Sequence, residues 1–222
     1  MNYLILFLSV AVGYLIALVF QNRGIRHMPI ILAFSGAFLL SVTLFGILPE
    51  VFETPSKELG LFIMCGILLQ IVLDFFSKGA EHGHVHLPSK TEFFPWLLFI
   101  SLSVHAFLEG FPITENSSML IGVIVHKIPI AIILSLFFIK AGYSQFTIYI
   151  FLIIFALMTP LGSWLSTEIT MFKAYENEIN AVVIGVFLHV STTILFESSK
   201  DHKFNLAKLL AIILAVAIAF ML

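Results

Sequence analysis

Eight stretches of about 20 mostly apolar residues dominate this chain, at roughly 3–20, 29–49, 59–77, 94–113, 118–139, 146–164, 179–197 and 205–222, each long enough for an α-helix to cross the hydrocarbon of a bilayer. Inside lipid the backbone has no water to bond, so every N–H and C=O must pair within its own segment, and that selects helices. The expected fold is an all-α membrane protein with eight transmembrane helices. Composition agrees, since 60% of the 222 residues are hydrophobic and 11% charged, against about 25% charged in an ordinary soluble domain; mean hydropathy is +1.09. A net charge of −2 supplies no basic face for nucleic acid. No connecting loop exceeds about 17 residues, which leaves no room for a soluble module, so residues 1–222 are read as a single membrane domain.

Lysines and arginines orient the helices, because positive residues collect in cytoplasmic loops. The odd-numbered loops carry Arg23, Arg26, Lys78, Lys90, Lys140, Lys200 and Lys203, whereas the even-numbered loops carry only Lys57 and Lys173. Odd loops are therefore expected in the cytoplasm and both termini outside it. Tyr3 to Phe20 has no positive leading region and no A-x-A cleavage site, and is read as a retained first helix rather than a signal peptide. Cys65 is the single cysteine, so it has no internal disulfide partner, and its apolar surroundings suggest a small packing residue. Lys127 with Pro129 in the fifth segment, and Pro160-Leu161-Gly162 in the sixth, mark the spans expected to be interrupted and to line a pathway.

Chemistry concentrates in the fourth and fifth segments. A charged side chain at the bilayer centre costs about 2.5–3.5 kcal/mol on insertion scales, and it persists there by facing a cavity, a partner or an ion. His105 and Glu109 are four residues apart and share one helix face, with Ser101 a turn earlier. His126 comes from the next segment, and the short connection between them makes the two helices antiparallel neighbours. Its imidazole can complete a His-Glu-His set. Such ligands suit zinc, and also iron, manganese, cobalt or nickel, since geometry selects more than ligand type does. In a membrane span, ligation is favoured over a hydrogen-bonded packing role.

The run Ser101-Leu-Ser-Val-His105-Ala-Phe-Leu-Glu109-Gly110, followed by Val125-His126-Lys127 and Ala131, resembles the fourth and fifth helices of the ZIP (Zrt/Irt-like) divalent-metal transporters. Phe34-Ser-Gly36 through Leu48-Pro49-Glu50 is similar to that family's second helix, and Gly185-Val-Phe187-Leu188 to its seventh. The resemblance implies eight helices with both termini outside, a histidine-bearing loop between the third and fourth, and a transport site lined by His105, Glu109 and His126. It implies import of zinc or a related divalent cation, iron, manganese, cobalt, nickel or cadmium included, toward the cytoplasm, with no cofactor. Many members carry Asn or Asp after the first histidine and Glu four residues after the second; Ala106 and Ile130 stand there in this chain. One metal per transport cycle is the expectation, in a branch whose fifth helix carries a His-Lys pair. The membrane expected is the cell's plasma or inner membrane, and a homodimer is one assembly open to the chain.

Other residues are accessory candidates. Lys127 either neutralises Glu109 or pairs structurally, with Asp74 as its partner. His189, in the seventh segment, is read as a hydrogen-bonded core residue ahead of a ligand. His82, His84 and His86 alternate in a loop expected on the cytoplasmic side, where they could catch a released cation. Ser35-Gly36 and Gly185 are read as sites of close helix packing. Two other functions use the same residues: an intramembrane zinc-dependent hydrolase, since a His-Glu-His set with an activated water is competent for hydrolysis, and a passive metal sensor. The hydrolase lacks a separate general acid or base apart from Lys127.

Overall fold

Long runs of Leu, Ile, Phe and Ala that must satisfy their own backbone fold as helices, and in the computed structural model every regular element among the described residues is helical. The described residues are 2–22, 25–53, 56–80, 94–113, 118–197 and 206–222. In chain order the helices are α1 (Asn2–Phe20), α2 (Met28–Val42), α3 (Leu48–Val51), α4 (Lys57–Ser77), α5 (Trp96–Leu108), α6 (Ser118–Lys140), α7 (Gln145–Glu168), α8 (Thr170–Ala174), α9 (Glu176–Glu197) and α10 (Leu206–Phe220). A π-helical turn, Thr43–Ile47, joins α2 to α3, so that Met28–Val51 runs as one span.

Among the described residues six helices are long and apolar enough to cross a membrane: Tyr3–Phe20, Met28–Val51, Lys57–Ser77, Ser118–Lys140, Gln145–Glu168 and Glu176–Phe196. The fourth and eighth apolar segments form shorter helices, Trp96–Leu108 and Leu206–Phe220. Each of the eight segments is thus helical, but the fourth stops before residue 113. Beyond His105 the chain tightens, with Gly110 N–H donating to the Phe107 carbonyl at 3.1 Å and Phe111 N–H to that of Leu108 at 3.2 Å. The cause is contact with α7: a Cβ on Gly110 would strike the Thr159 carbonyl, and one on Gly162 would strike the Phe107 carbonyl. Hydroxyls of α7 serve the α5 end, Thr159 Oγ1 donating to the Ala106 carbonyl at 2.7 Å and Ser163 Oγ to the Ile113 carbonyl at 3.3 Å. That is how irregular backbone is tolerated at membrane depth.

The interruptions expected at Pro129 and Pro160 are absent, and α6 and α7 run through both prolines. Each proline removes one backbone donor, whereas these helices are held on several sides: α6 packs on α1, α2 and α7, and α7 on α1 and α5. α4 packs on α9 and α5, and α2 on α9 and α10. Gly66 and Gly185 form the α4–α9 crossing, each occupying space where a Cβ would meet the other helix's carbonyl, so Gly185 has the packing role its sequence context suggests. Gly36 likewise lies against Ile194 of α9. Cys65 departs from the packed position expected of it and is exposed. Its neighbour Gly66 is the residue pressed into α9, which turns the thiol outward along with Leu61 and Leu68, 63% and 55% exposed. An outer surface this apolar would be a liability in water and is what acyl chains require.

Among the described residues the interior holds two apolar clusters. One gathers Phe38, Val42, Met119, Val123 and Phe187; the other gathers Leu102, Ala106, Ile130, Phe138, Phe151 and Phe155. Val123 and Ala106 bring both clusters to the stretch of α5 and α6 that carries the polar residues.

Candidate metal centre

α5 packs on α7 and α4 rather than directly on α6, so the neighbouring pair expected from the short connection is not a close-packed one. His105 in its last turn and Glu109 just beyond its end nevertheless meet the side chains of the middle of α6 in the interior. His105, Glu109, His126 and Lys127 are 3%, 2%, 1% and 1% exposed, so whatever they contact is protein or something enclosed by it. The helical i,i+4 relation brings His105 Nε2 to 3.1 Å from Glu109 Oε1. His126 Nε2 lies 3.7 Å from the same oxygen, and the two imidazole rings stand edge-to-face, 6.2 Å between centroids. One donor atom from each of the three residues lies within 4.8 Å of the others. Bonds of about 2.0–2.2 Å to a tetrahedral zinc put neighbouring ligand atoms about 3.3 Å apart. The two His–Glu separations bracket that spacing, so a small closure of the imidazoles would set all three donors on one ion, with a fourth position left for water or exchange.

Glu109 divides its two oxygens between two tasks. Oε1 faces the imidazoles, while Oε2 accepts a hydrogen bond from Lys127 Nζ at 2.6 Å. The ammonium also sits 4.6 Å from the ring centroid of Phe155 on α7, a cation–π contact that favours charge inside a low-dielectric interior. Of the two partners considered for Lys127, Glu109 is the one it bonds. Asp74 instead faces His189, with Asp74 Oδ2 3.9 Å from His189 Nε2 and the side chains 25% and 20% exposed. A buried cation beside the acid explains why a carboxylate can stay at this depth: unpaired charge is expelled from such sites or neutralised.

Ser101 is buried but its hydroxyl donates back to the Leu97 carbonyl at 2.8 Å, so the shared face does not make it part of the donor group. His189 lies apart from that group, beside Asp74. His82, His84 and His86 fall outside the described residues. Sequence reasoning passed over Gln70 of α4, which is fully buried with Oε1 3.0 Å from His105 Nδ1, and gave Ser35 a packing role only, although its Oγ lies 3.5 Å from His126 Nδ1. The usable signal for Gln70 was an uncharged polar residue in the middle of an apolar run, four residues before Asp74. Lys208, a charge inside the last apolar run, was missed too; its Nζ donates to the Leu195 carbonyl near the end of α9 at 3.0 Å, where a cation complements the helix dipole.

The family model described as ZIP Zinc transporter matches residues 77–222. The chain belongs to the ZIP zinc transporter family. It is 28% identical over 136 residues to a protein named Zinc transporter ZIP1 from Danio rerio, covering 56% of this chain and 44% of that protein. A second, Protein zntD from Dictyostelium discoideum, is 25% identical over 150 residues, covering 58% of this chain and 22% of that protein. Zinc transporter ZIP1 from Takifugu rubripes is 25% identical over 136 residues, or 56% of this chain and 44% of that protein. The chain therefore spans less than half the length of these curated relatives. His105, Glu109, His126 and Lys127 lie inside the family match, whereas α1 to α3 and nearly all of α4, with Ser35 and Gln70, precede it. With six long apolar helices among its described residues, this ZIP family chain is an integral, multi-pass membrane protein.

Proposed function

We propose that this chain imports a divalent cation, zinc first, toward the cytoplasm by alternating access through a site formed by His105, Glu109 and His126. The observation that carries the reading is the convergence of three buried donors within 4.8 Å in a ZIP family chain whose relatives are named zinc transporters. Two imidazoles and one carboxylate oxygen hold zinc without completing its coordination, and a transported ion must be bound weakly enough to leave. Lys127 occupies the second oxygen of Glu109, which supports a single ion per cycle. Ile130 stands where many members have a further carboxylate, and it packs in the apolar cluster with Leu102 and Phe155. The hydrolase reading gains nothing from the relatives, and its one available acid or base, Lys127, is bonded to Glu109.

In this reading residues 1–222 form one ZIP-like domain of eight membrane-crossing helices, the two short ones included, with both termini outside the cytoplasm, in the plasma or inner membrane. Iron, manganese, cobalt, nickel and cadmium are further cargo for the same ligands, and a homodimer is an assembly to test by cross-linking. Uptake of zinc into proteoliposomes loaded with a zinc-sensitive dye tests the function: His105→Ala, Glu109→Ala and His126→Ala should each abolish saturable uptake. Near-normal uptake by folded variants would sink the site. For orientation, cysteines placed in the loop from Lys78 to Lys90 should label only from the cytoplasmic side and those near Glu168 only from the other; reversed labelling overturns the charge argument.

A further inference from the structure

We propose that Gln70 of α4 is a positioning residue that decides which nitrogen of His105 meets the metal, an inference that rests on the metal-site reading above. An imidazole's two nitrogens face different directions, so only one can reach a given ion. Nδ1 of His105 lies 3.0 Å from Gln70 Oε1, and Nε2 lies 3.1 Å from Glu109 Oε1. A carbonyl oxygen accepts and cannot donate. Nδ1 facing it must therefore carry a proton, which leaves the Nε2 lone pair for an ion held beside Glu109. Gln70 is fully buried, so water does not compete for the contact, and rotating the ring would give up a buried hydrogen bond.

The two histidines differ in this respect. Ser35 Oγ approaches His126 Nδ1 only to 3.5 Å, at the outer edge of a hydrogen bond, and His126 Nε2 stands 3.7 Å from the carboxylate rather than 3.1 Å. At Nδ1, α4 holds His105 more closely than Ser35 holds His126. Partners of this kind, which orient a metal-bound imidazole from behind, change metal affinity by about 10–100-fold when removed. A plain packing role, an amide joining α4 to α5, predicts no such change once the fold is intact.

The test uses the full chain purified in detergent, with zinc affinity measured by chelator competition and the visible spectrum of bound cobalt as a second readout. Gln70→Leu should weaken zinc binding by about 10–100-fold and shift the cobalt spectrum, with helical content and melting retained. Gln70→Glu keeps an acceptor for the Nδ1 proton and should bind zinc at least as tightly as the unmodified chain to within about threefold. Unchanged affinity in Gln70→Leu, or a Gln70→Glu variant as weak as Gln70→Leu, overturns the proposal. Should Gln70→Leu not fold, the unmodified chain decides the matter: with NMR-active cadmium and nitrogen-labelled histidine, scalar coupling is expected to Nε2 of His105, and coupling to Nδ1 refutes the orientation. His105→Ala separates the two levels of inference. Normal zinc binding by that variant removes the metal site itself, whereas lost binding there beside normal binding in Gln70→Leu removes only the role of Gln70.

Discussion

Among the described residues, acid meets histidine at two places, around Glu109 and at Asp74, and the two differ in depth and in the number of groups that converge. Glu109 is 2% exposed, has imidazoles 3.1 Å and 3.7 Å away on one oxygen, and takes an ammonium at 2.6 Å on the other. Asp74 and His189 are 25% and 20% exposed and stand 3.9 Å apart. In the first, low dielectric strengthens every contact and makes each missing partner costly; in the second, the separation is longer than a hydrogen bond, so that contact puts less electrostatic energy at stake. Burial and the number of converging groups, rather than residue type, distinguish a candidate transport site from a pair of polar neighbours.

The largest effect is expected at the buried group. Glu109→Gln should abolish uptake and also lower stability by about 3–5 kcal/mol, because it leaves the Lys127 ammonium buried without its counter-charge; denaturation in micelles reads the second quantity. Adding Lys127→Met should return most of the stability without returning transport. If the double variant is as unstable as Glu109→Gln alone, the loss lies in packing and the electrostatic contrast between the two groups is broken.

The smallest effect is expected at the other pair. Asp74→Asn or His189→Gln should cost less stability than the loss of about 3–5 kcal/mol expected at Glu109 and leave zinc affinity within about threefold, since neither residue belongs to the group of converging donors. A tenfold loss of affinity in either variant would mean that the two groups act on the ion together, and the comparison would have to be redrawn as one continuous polar path.

Much of this protein was legible in its residues because lipid leaves few choices. Apolar runs of span length must be helices, and two histidines and a glutamate inside such runs need a stated reason to be there. The eight helical segments and the candidacy of His105, Glu109 and His126 are therefore readable in the sequence, while the meeting of His126 with the other two waits on packing. The i,i+4 step from His105 to Glu109 is local geometry, fixed once the helix is. Where α5 stops was not legible: Leu108 ends it because Gly110 and Gly162 bring two backbones into contact, an event between residues 52 apart in sequence. Nor could spacing choose between Glu109 and Asp74 as the partner of Lys127, or pick out Gln70 behind His105, because side chains from different helices meet only after the helices have packed. Helix existence is decided by each segment's contact with its solvent; hydrogen-bond partners and charge pairing are decided by which helix faces lie against each other, and that belongs to the tertiary structure.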